Sequence, residues 1–401
     1  MTDHVINILF FSNQPVRGGV EEHMLMLIQS LDRARFRVHL MCDPRVLAQL
    51  RAEVPDDVVV HALYFERLTQ FREAWKFARI LREHRIDILH SHLFRASLVG
   101  SPLAWLCRVP VILETPHLRE SWRSGWLKGQ FVIDRLIGRF VNGYIAVSKA
   151  NREYLVRTKR LCAANIHVIE NGCRLQRFVP GHRPLRNLRQ DLGLPSDSLI
   201  VVVLARLEEQ KGHRVLIEAM QSVVRTVPKV RLVCVGEGSL RSQLEAQVEQ
   251  AGLANCVRFT GYQSNAEDWL AMADIVALPS LFEGLPLAAI EALAAGKAVV
   301  ASSVDGTPEV VVHELTGLTV PPGDPEALAG AICRLLADAP LRRELGQNGF
   351  RRVHERFSIE TFVARTEALY LSAVESHRRT FERAGAPQAT EAVPARRSLA
   401  K

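Results

Sequence analysis

Short apolar runs alternate with longer amphipathic stretches along almost the whole chain. Runs rich in Val, Ile and Leu without polar alternation read as strands buried on both faces, and stretches with apolar residues every three or four positions read as one-sided helices. In the first half the pattern predicts strands over 5–11, 37–42, 87–92, 111–117, 143–148 and 166–172, and helices over 20–31, 68–84 and from Lys149. In the second half it predicts strands over 199–205, 230–235, 257–260, 275–280, 298–302 and 317–320. Helices are predicted there over 213–224 and 287–295, and from Pro325 and Ser358. Strand–helix alternation in both halves predicts two doubly wound α/β domains with parallel sheets. Pro180, Gly181, Pro184, Gly193 and Pro195 crowd the interval between the halves, which marks it as a linker. The expected division is therefore 1–180, 181–356, a last helical segment over 357–380, and a polar, Ala/Pro-rich disordered tail over 381–401.

Candidate chemistry gathers where predicted strands end. Ligands of open α/β sheets bind at the carboxyl ends of strands. The segment Glu283-Gly-Leu-Pro-Leu-Ala-Ala-Ile-Glu291 joins one apolar run to one helical run. Pro286 suits a first helical turn, whose free N–H groups and positive dipole end attract phosphate. Glu283 and Glu291 flank that turn. Carboxylates repel phosphate and accept strongly from hydroxyls, so the segment suits a ligand that joins sugar, phosphate and ribose. A Glu pair that merely complements the helix dipole is the plainer reading. Arg206 and Lys211 share one strand-to-helix loop, an arrangement that can clamp a diphosphate, the Arg as a fork and the Lys as a point charge. Gly18-Gly19 precedes a helix and permits close backbone approach to a ligand. His117 stands at a strand end. His90 and His92 share one strand face, but the sequence indicates no third metal ligand beside them, and structural roles fit them better.

Composition narrows the choice. The 401 residues carry a net charge of +8, with 51 Lys+Arg and 43 Asp+Glu. Residues 1–180 hold 26 of the cations and 17 of the acids, about +9, and the remainder is 25 against 26, about −1. The basic first half suits an anionic partner there, such as a membrane surface or an acidic acceptor. Trp122, Arg123, Trp126, Lys128, Phe131, Arg135 and Arg139 interleave aromatics with cations, as at a membrane interface or as the packed face of a solvated helix. No apolar run is long enough to span a bilayer, and the N-terminus reads as a strand with no basic leader. The seven cysteines are scattered without a C-x-x-C pair, which argues against a zinc cluster and for a reducing cytoplasm. The glycines do not form G-x-G-x-x-G, which disfavours a Rossmann dehydrogenase.

In this order and spacing, Gly18-Gly19-Val-Glu21, Asp87-Ile-Leu-His-Ser-His92, Ala146-Val-Ser148, Glu170-Asn-Gly172, Arg206 with Lys211-Gly212, Gly236-Glu-Gly238 and Glu283 through Glu291 resemble the family 4 retaining glycosyltransferases over about residues 5–375. The resemblance implies a GT-B fold, two Rossmann-like domains facing across a cleft, with acceptor on the first domain and nucleotide-sugar donor on the second. It implies a final helix crossing back to the first domain. By the same resemblance Arg206 and Lys211 hold the diphosphate, Glu291 the ribose, and Glu283 with Gly284, Leu285, Pro286 and Leu287 the transferred sugar. Gly18 and Gly19 close over the phosphates, Gly236 lies at the donor, Tyr262 and Gln263 lie at the base, and His117 is near the reacting sugar. The implied activity is metal-independent, retaining hexosyl transfer from a nucleotide-diphosphate sugar to a glycan or lipid-linked hydroxyl. No cofactor, metal or nucleic acid is expected, and the protein is expected in the cytoplasm or on the inner face of the membrane. A sugar-nucleotide epimerase and a non-catalytic sugar-nucleotide-binding protein on the same fold are the alternatives. One departure stands out: the family usually has Asp two residues after Asn-Gly, and this chain has Arg174.

Overall fold

A computed structural model describes residues 5–67, 69–120, 131–182, 184 and 187–385. The first domain holds β1 (Ile6–Ser12), β2 (Phe36–Cys42), β3 (Val59–Ala62), β4 (Ile88–His92), β5 (Val111–Thr115), β6 (Gly143–Ala146) and β7 (Ile166–Val168). The second holds β8 (Leu199–Leu204), β9 (Val230–Val235), β10 (Val257–Phe259), β11 (Ile275–Leu278), β12 (Ala298–Ser302) and β13 (Gly317–Val320). The sheets run 3-2-1-4-5-6-7 and 10-9-8-11-12-13, and every described strand pair is parallel. Strand order reverses between β1 and β4 and between β8 and β11, which opens a crevice at each reversal.

Alternation along the central strands feeds a separate core on each sheet face. Ile8 and Phe10 join one cluster and Leu9 and Phe11 another. In the second sheet Ile200 and Val202 face one core and Val201 and Val203 the other. The helix Ile359–Gly385 crosses back, and its Ile359, Phe362, Val363, Tyr370 and Val374 complete the core around Ile6, Ile8 and Leu27. That helix continues through 381–385, beyond the predicted start of a disordered tail. The two passages between domains are joined side by side. Cys173 N–H donates to Phe357 O (2.9 Å) and Ile359 N–H to Cys173 O (3.1 Å). Gly172 lies so close to the crossing helix that a Cβ would stand 2.6 Å from Phe362 Cβ.

Observed strands stop two to four residues short of several predicted ends, because the chain peels away there to form the loops of the cleft. β3 and the helices Pro44–Leu50, Phe94–Leu106, Arg241–Gln250, Ala266–Met272 and Ala339–Arg356 are additional to the predicted elements. The helix Phe94–Leu106 carries Pro102 and Gly100, which disguise it in sequence. Its Gly100 packs on Phe11, Leu89 and Ser91. Trp122, Arg123, Trp126 and Lys128 lie outside the described residues. Beside them, the helix Phe131–Ile137 exposes Val132, Ile133 and Leu136 while burying Phe131 and Ile137. Among the described residues no helix is long and apolar enough to cross a membrane.

Candidate active site

The loop after β11 leads into the helix Leu287–Ala294, and Pro286 is its N-cap, with extended backbone, rather than part of the first turn. The amides of Leu287 and Ala288 find no acceptor among the described residues, as the open start of a helix requires. Glu283 is buried at the loop's entrance. Its carboxylate accepts from Lys211 Nζ (2.5 Å) and Ser280 Oγ (2.8 Å), and its own N–H donates to Asp305 Oδ2 (3.0 Å). Lys211 reaches it from the β8 loop, where Gly212 adopts φ 66° and a Cβ would meet Pro279 O at 1.9 Å, so that both the backbone and the packing require glycine.

Arg206, also on the β8 loop, is half-buried and forms no ion pair among the described residues. It lies against the first domain's glycine loop, with its Nε 3.3 Å from where a Cβ on Gly18 would stand. The loop is held by Glu21, which accepts from Gly18 N–H (3.0 Å) and Ser12 Oγ (2.9 Å). Burial raises the Glu21 carboxyl above its ordinary range, opposed by those hydrogen bonds and by the Arg206 charge. Gly19 has open space around it, and Gly236 at φ 146° keeps the β9 loop against Ala205 O.

The carboxylate of Glu291, one helical turn into Leu287–Ala294, has no hydrogen-bond partner among the described residues. Burial pushes its carboxyl up to about 7; Arg177 draws it down, while Glu22 and Glu267 add to the rise. Tyr262 is 60% exposed at the cleft mouth, with the charges of Arg17 and Glu22 acting across the cleft on its hydroxyl. Gln263 turns back on Thr260 O (3.1 Å).

His117 is buried with a left-handed backbone, φ 48°. Its carbonyl meets the second domain at Gly284, where a Cβ would lie 1.7 Å away. Only glycine allows this approach. Ser148 Oγ donates to Gly284 O (3.1 Å), and Asn171 Nδ2 to Leu285 O (2.9 Å). His23 and His117 give His92 the neighbours that sequence did not indicate: the three rings offer nitrogens within 4.8 Å of one another. His92 Nδ1 and His117 Nε2 stand 2.8 Å apart, and His23 Nδ1 pairs with Asn171 Oδ1 (3.0 Å). Two nitrogens on one tetrahedral zinc at ~2.0–2.1 Å are about 3.3–3.4 Å apart, so the His92–His117 pair has hydrogen-bond spacing and not ligand spacing. Burial and neighbouring imidazoles push His92 and His117 well below the usual histidine value, and burial, opposed by the Asn171 hydrogen bond, pushes His23 down to about 4. All three are neutral near pH 7. His90 stands behind them in a structural role, bonded to Tyr370 OH and Thr115 Oγ1 (both 2.7 Å).

The crevices of the two sheets therefore face one another across Gly18, His117, Arg206, Lys211 and the segment 283–291. Residues 17–177 match the family described as Glycosyltransferase Family 4, and residues 186–352 the one described as Glycosyl transferases group 1. An uncharacterized glycosyltransferase of Methanocaldococcus jannaschii is 30% identical over 306 residues, covering 74% of this chain and 78% of its own. The chain belongs to glycosyltransferase family 4. The lipopolysaccharide core biosynthesis glycosyltransferase LpsD of Rhizobium meliloti is 29% identical over 343 residues, 85% of this chain and 91% of its own. The crystal structure of Anabaena HepE with UDP-glucose superposes with a TM-score of 0.81 at 24% identity, over 92% of this chain and 100% of that one. The fold is GT-B.

In this family 4 glycosyltransferase several site residues go beyond those singled out in sequence. Asn171 and Glu21 stand inside the quoted motifs, but their bonds to His23 and the Gly18 loop depend on the tertiary fold. Asp305 has φ 41° and pairs with Arg119 (3.1 Å) as well as the Glu283 amide; its place just after β12 was the available signal. Arg177 touches Glu291 only electrostatically and is anchored by Glu267 (2.8 Å). Arg174 caps the short turn Leu175–Arg177 without a side-chain bond.

Proposed function

We propose that this glycosyltransferase moves a hexosyl group, with retention, from a nucleotide-diphosphate sugar to a hydroxyl of a glycan or lipid-linked acceptor in polysaccharide or glycolipid assembly. The observation that carries this reading is the convergence on one crevice of Lys211, held by Glu283, with Arg206 and the open amides of Leu287 and Ala288, and beyond them the Glu291 carboxylate, none of these last groups having a partner among the described residues. Cleaving the glycosyl–phosphate bond gathers negative charge on a diphosphate and positive character on the sugar ring. Arg206, Lys211 and the helix amides meet the first charge without reorganisation. Glu283, already fixing Lys211, accepts from sugar hydroxyls, and Glu291 accepts from the ribose. Tyr262 offers an exposed face to the base, and Gly18 lets the first domain's backbone close on the phosphates. His117, neutral, stands at the reacting sugar. In a retaining reaction the acceptor enters on the leaving-group face, where the departing diphosphate takes its proton. HepE was crystallised with UDP-glucose, which supports a nucleotide-sugar donor. An Escherichia coli relative 24% identical over 386 residues is named for galactosyl transfer to a diphosphoundecaprenol-linked sugar. That name and the exposed Val132, Ile133 and Leu136 beside exposed Arg135 and Arg139 support a lipid-linked acceptor at an anionic membrane face.

The test supplies nucleotide sugars with lipid-linked and soluble glycan acceptors and reads product by mass spectrometry and its anomeric configuration by NMR. A product with the donor's configuration is expected. An inverted product overturns retention, and an epimerised donor without transfer favours the epimerase reading.

Glu291 gives a second check with opposite signs for stability and binding. Its carboxyl sits at about 7 in the folded chain, above the ordinary 4.5. The folded state therefore holds a proton that the unfolded chain has lost, and stability from this group declines as pH rises from 4.5 through 7. Glu291→Gln is expected to raise the melting temperature of the free protein at pH 8 more than at pH 5. It is expected to weaken nucleotide binding at pH 8 by roughly tenfold to a hundredfold, the worth of a hydroxyl bond to a charged acceptor of ~1.5–3 kcal/mol. Melting curves and binding titrations at the two pH values read both.

A further inference from the structure

A second histidine group lies apart from the cleft. His39 sits on β2, where Met41 pairs with His61 of β3. Side chains alternate along a strand, so His39, Met41 and His61 share a sheet face. The helix Phe71–Glu83 covers that face, its Phe77 and Leu81 packing in one core with Met41. His84 ends this helix as its C-cap. Three rings from three elements thus meet on the helix-covered face at the β3 edge of the sheet. Ring centroids are 4.8 Å apart for His39–His84, 5.1 Å for His61–His84 and 5.5 Å for His39–His61. One nitrogen from each lies within 4.8 Å of the others.

We propose that His39, His61 and His84 bind a divalent transition-metal ion of the zinc class, three imidazoles holding it and water completing the shell. Spacing is the first argument. His39 Nδ1 and His61 Nε2 share a hydrogen bond at 3.2 Å, a separation that an ion replacing the shared proton would need to widen only slightly, to the ~3.3–3.4 Å edge of a tetrahedron built on zinc–nitrogen bonds of ~2.0–2.1 Å. The cleft histidines His92 and His117 are closer and do not meet this spacing. His84 is half-buried at a helix end and offers the third nitrogen within 4.8 Å of the other two. Ligand chemistry is the second argument. An all-imidazole set suits zinc, copper or nickel and does not suit calcium or magnesium, which take oxygen. Position is the third. The carbonyl end of the helix Phe71–Glu83 places partial negative charge beside the site. Arg37, exposed two residues before His39 on the same face, is the cation that acts against binding. His39 Nε2 is buried without a partner among the described residues, so none of them fixes this ring by a second hydrogen bond against turning toward an ion. The consequence is structural. β3 is a four-residue edge strand, and an ion joining it to β2 and the covering helix braces the margin of the acceptor-side domain.

The experiment titrates EDTA-dialysed full-length protein with Zn2+, followed by calorimetry and thermal melting, and with Co2+, followed by visible absorption. A saturable site for one ion per chain is expected, with a raised melting temperature and the intense visible bands of tetrahedral cobalt. Each of His84→Gln and His61→Gln should abolish all three signals, while His92→Gln, in the cleft, retains them. His84 lies half-exposed at a helix end, so His84→Gln carries the test even if the strand variant fails to fold. Absence of saturable binding, cobalt bands of octahedral weakness, or zinc effects that survive His84→Gln would overturn the proposal.

Discussion

Arg206→Ala is expected to lower turnover of the nucleotide sugar by roughly 10²–10³, about 2.7–4 kcal/mol of transition-state stabilisation. The size follows from where the guanidinium stands. It is half-buried, pressed against the Gly18 loop and unpaired among the described residues, so no neighbouring acid has to be displaced when a diphosphate arrives. Charge on the leaving group grows as the glycosyl bond breaks, so the loss should fall mainly on kcat and only in part on KM. Arg206→Lys should recover little of it, because an ammonium cannot present a two-pronged fork to adjacent oxygens. Lys211 differs: Glu283 already holds it at 2.5 Å, and Lys211→Ala also leaves a buried carboxylate without its cation. Steady-state kinetics on the three variants, with folding checked by melting, read the contrast. Wild-type turnover in Arg206→Ala would remove this residue from the diphosphate site.

The largest effect on stability is expected at Lys159. Its side chain is 1% exposed, with Nζ 2.8 Å from Asp134 Oδ1 and 3.1 Å from Glu120 Oε2. Glu114, fully enclosed alongside, has its carboxyl pushed up to about 7 by burial and drawn down by the Lys159 charge. Glu120 and Asp134 lie on either side of 121–130, so one buried ammonium ties both flanks of that interval just beyond His117. Lys159→Met strands buried carboxylates, a change that costs ~3–5 kcal/mol and lowers the melting temperature by roughly 10 °C. Adding Glu120→Gln and Asp134→Asn should restore part of the loss, because the penalty comes from uncompensated charge. A melting temperature unchanged in Lys159→Met would show that the cluster is solvated.

Elements with a strong period were legible in the sequence, and elements defined by their neighbours were not. Buried strands such as β8 and β9 announce themselves because apolar residues on both faces need helices on both sides. β3 is four residues long and half-exposed, and although its valines favour a strand, the run is too short to show a period. The loops holding Gly18, Arg206, Lys211 and Glu283 were recognisable because strand ends concentrate chemistry in this architecture. Pairings across the domain interface were not: His117 against Gly284, Asn171 against Leu285 and Arg206 against Gly18 are contacts between residues far apart in sequence. The same holds for His39, His61 and His84, whose spacing matches no metal motif and which meet only because β2 and β3 pair under one helix.

The claim that the facing crevices hold a nucleotide diphosphate is tested most directly by calorimetric titration of nucleoside diphosphates into wild type, Arg206→Ala and Glu291→Gln, each with EDTA present. One diphosphate should bind saturably to wild type, with affinity lowered in both variants and the Glu291→Gln deficit larger at pH 8 than at pH 5. Absence of binding by every nucleoside diphosphate, or equal binding in wild type and Arg206→Ala, would contradict the account.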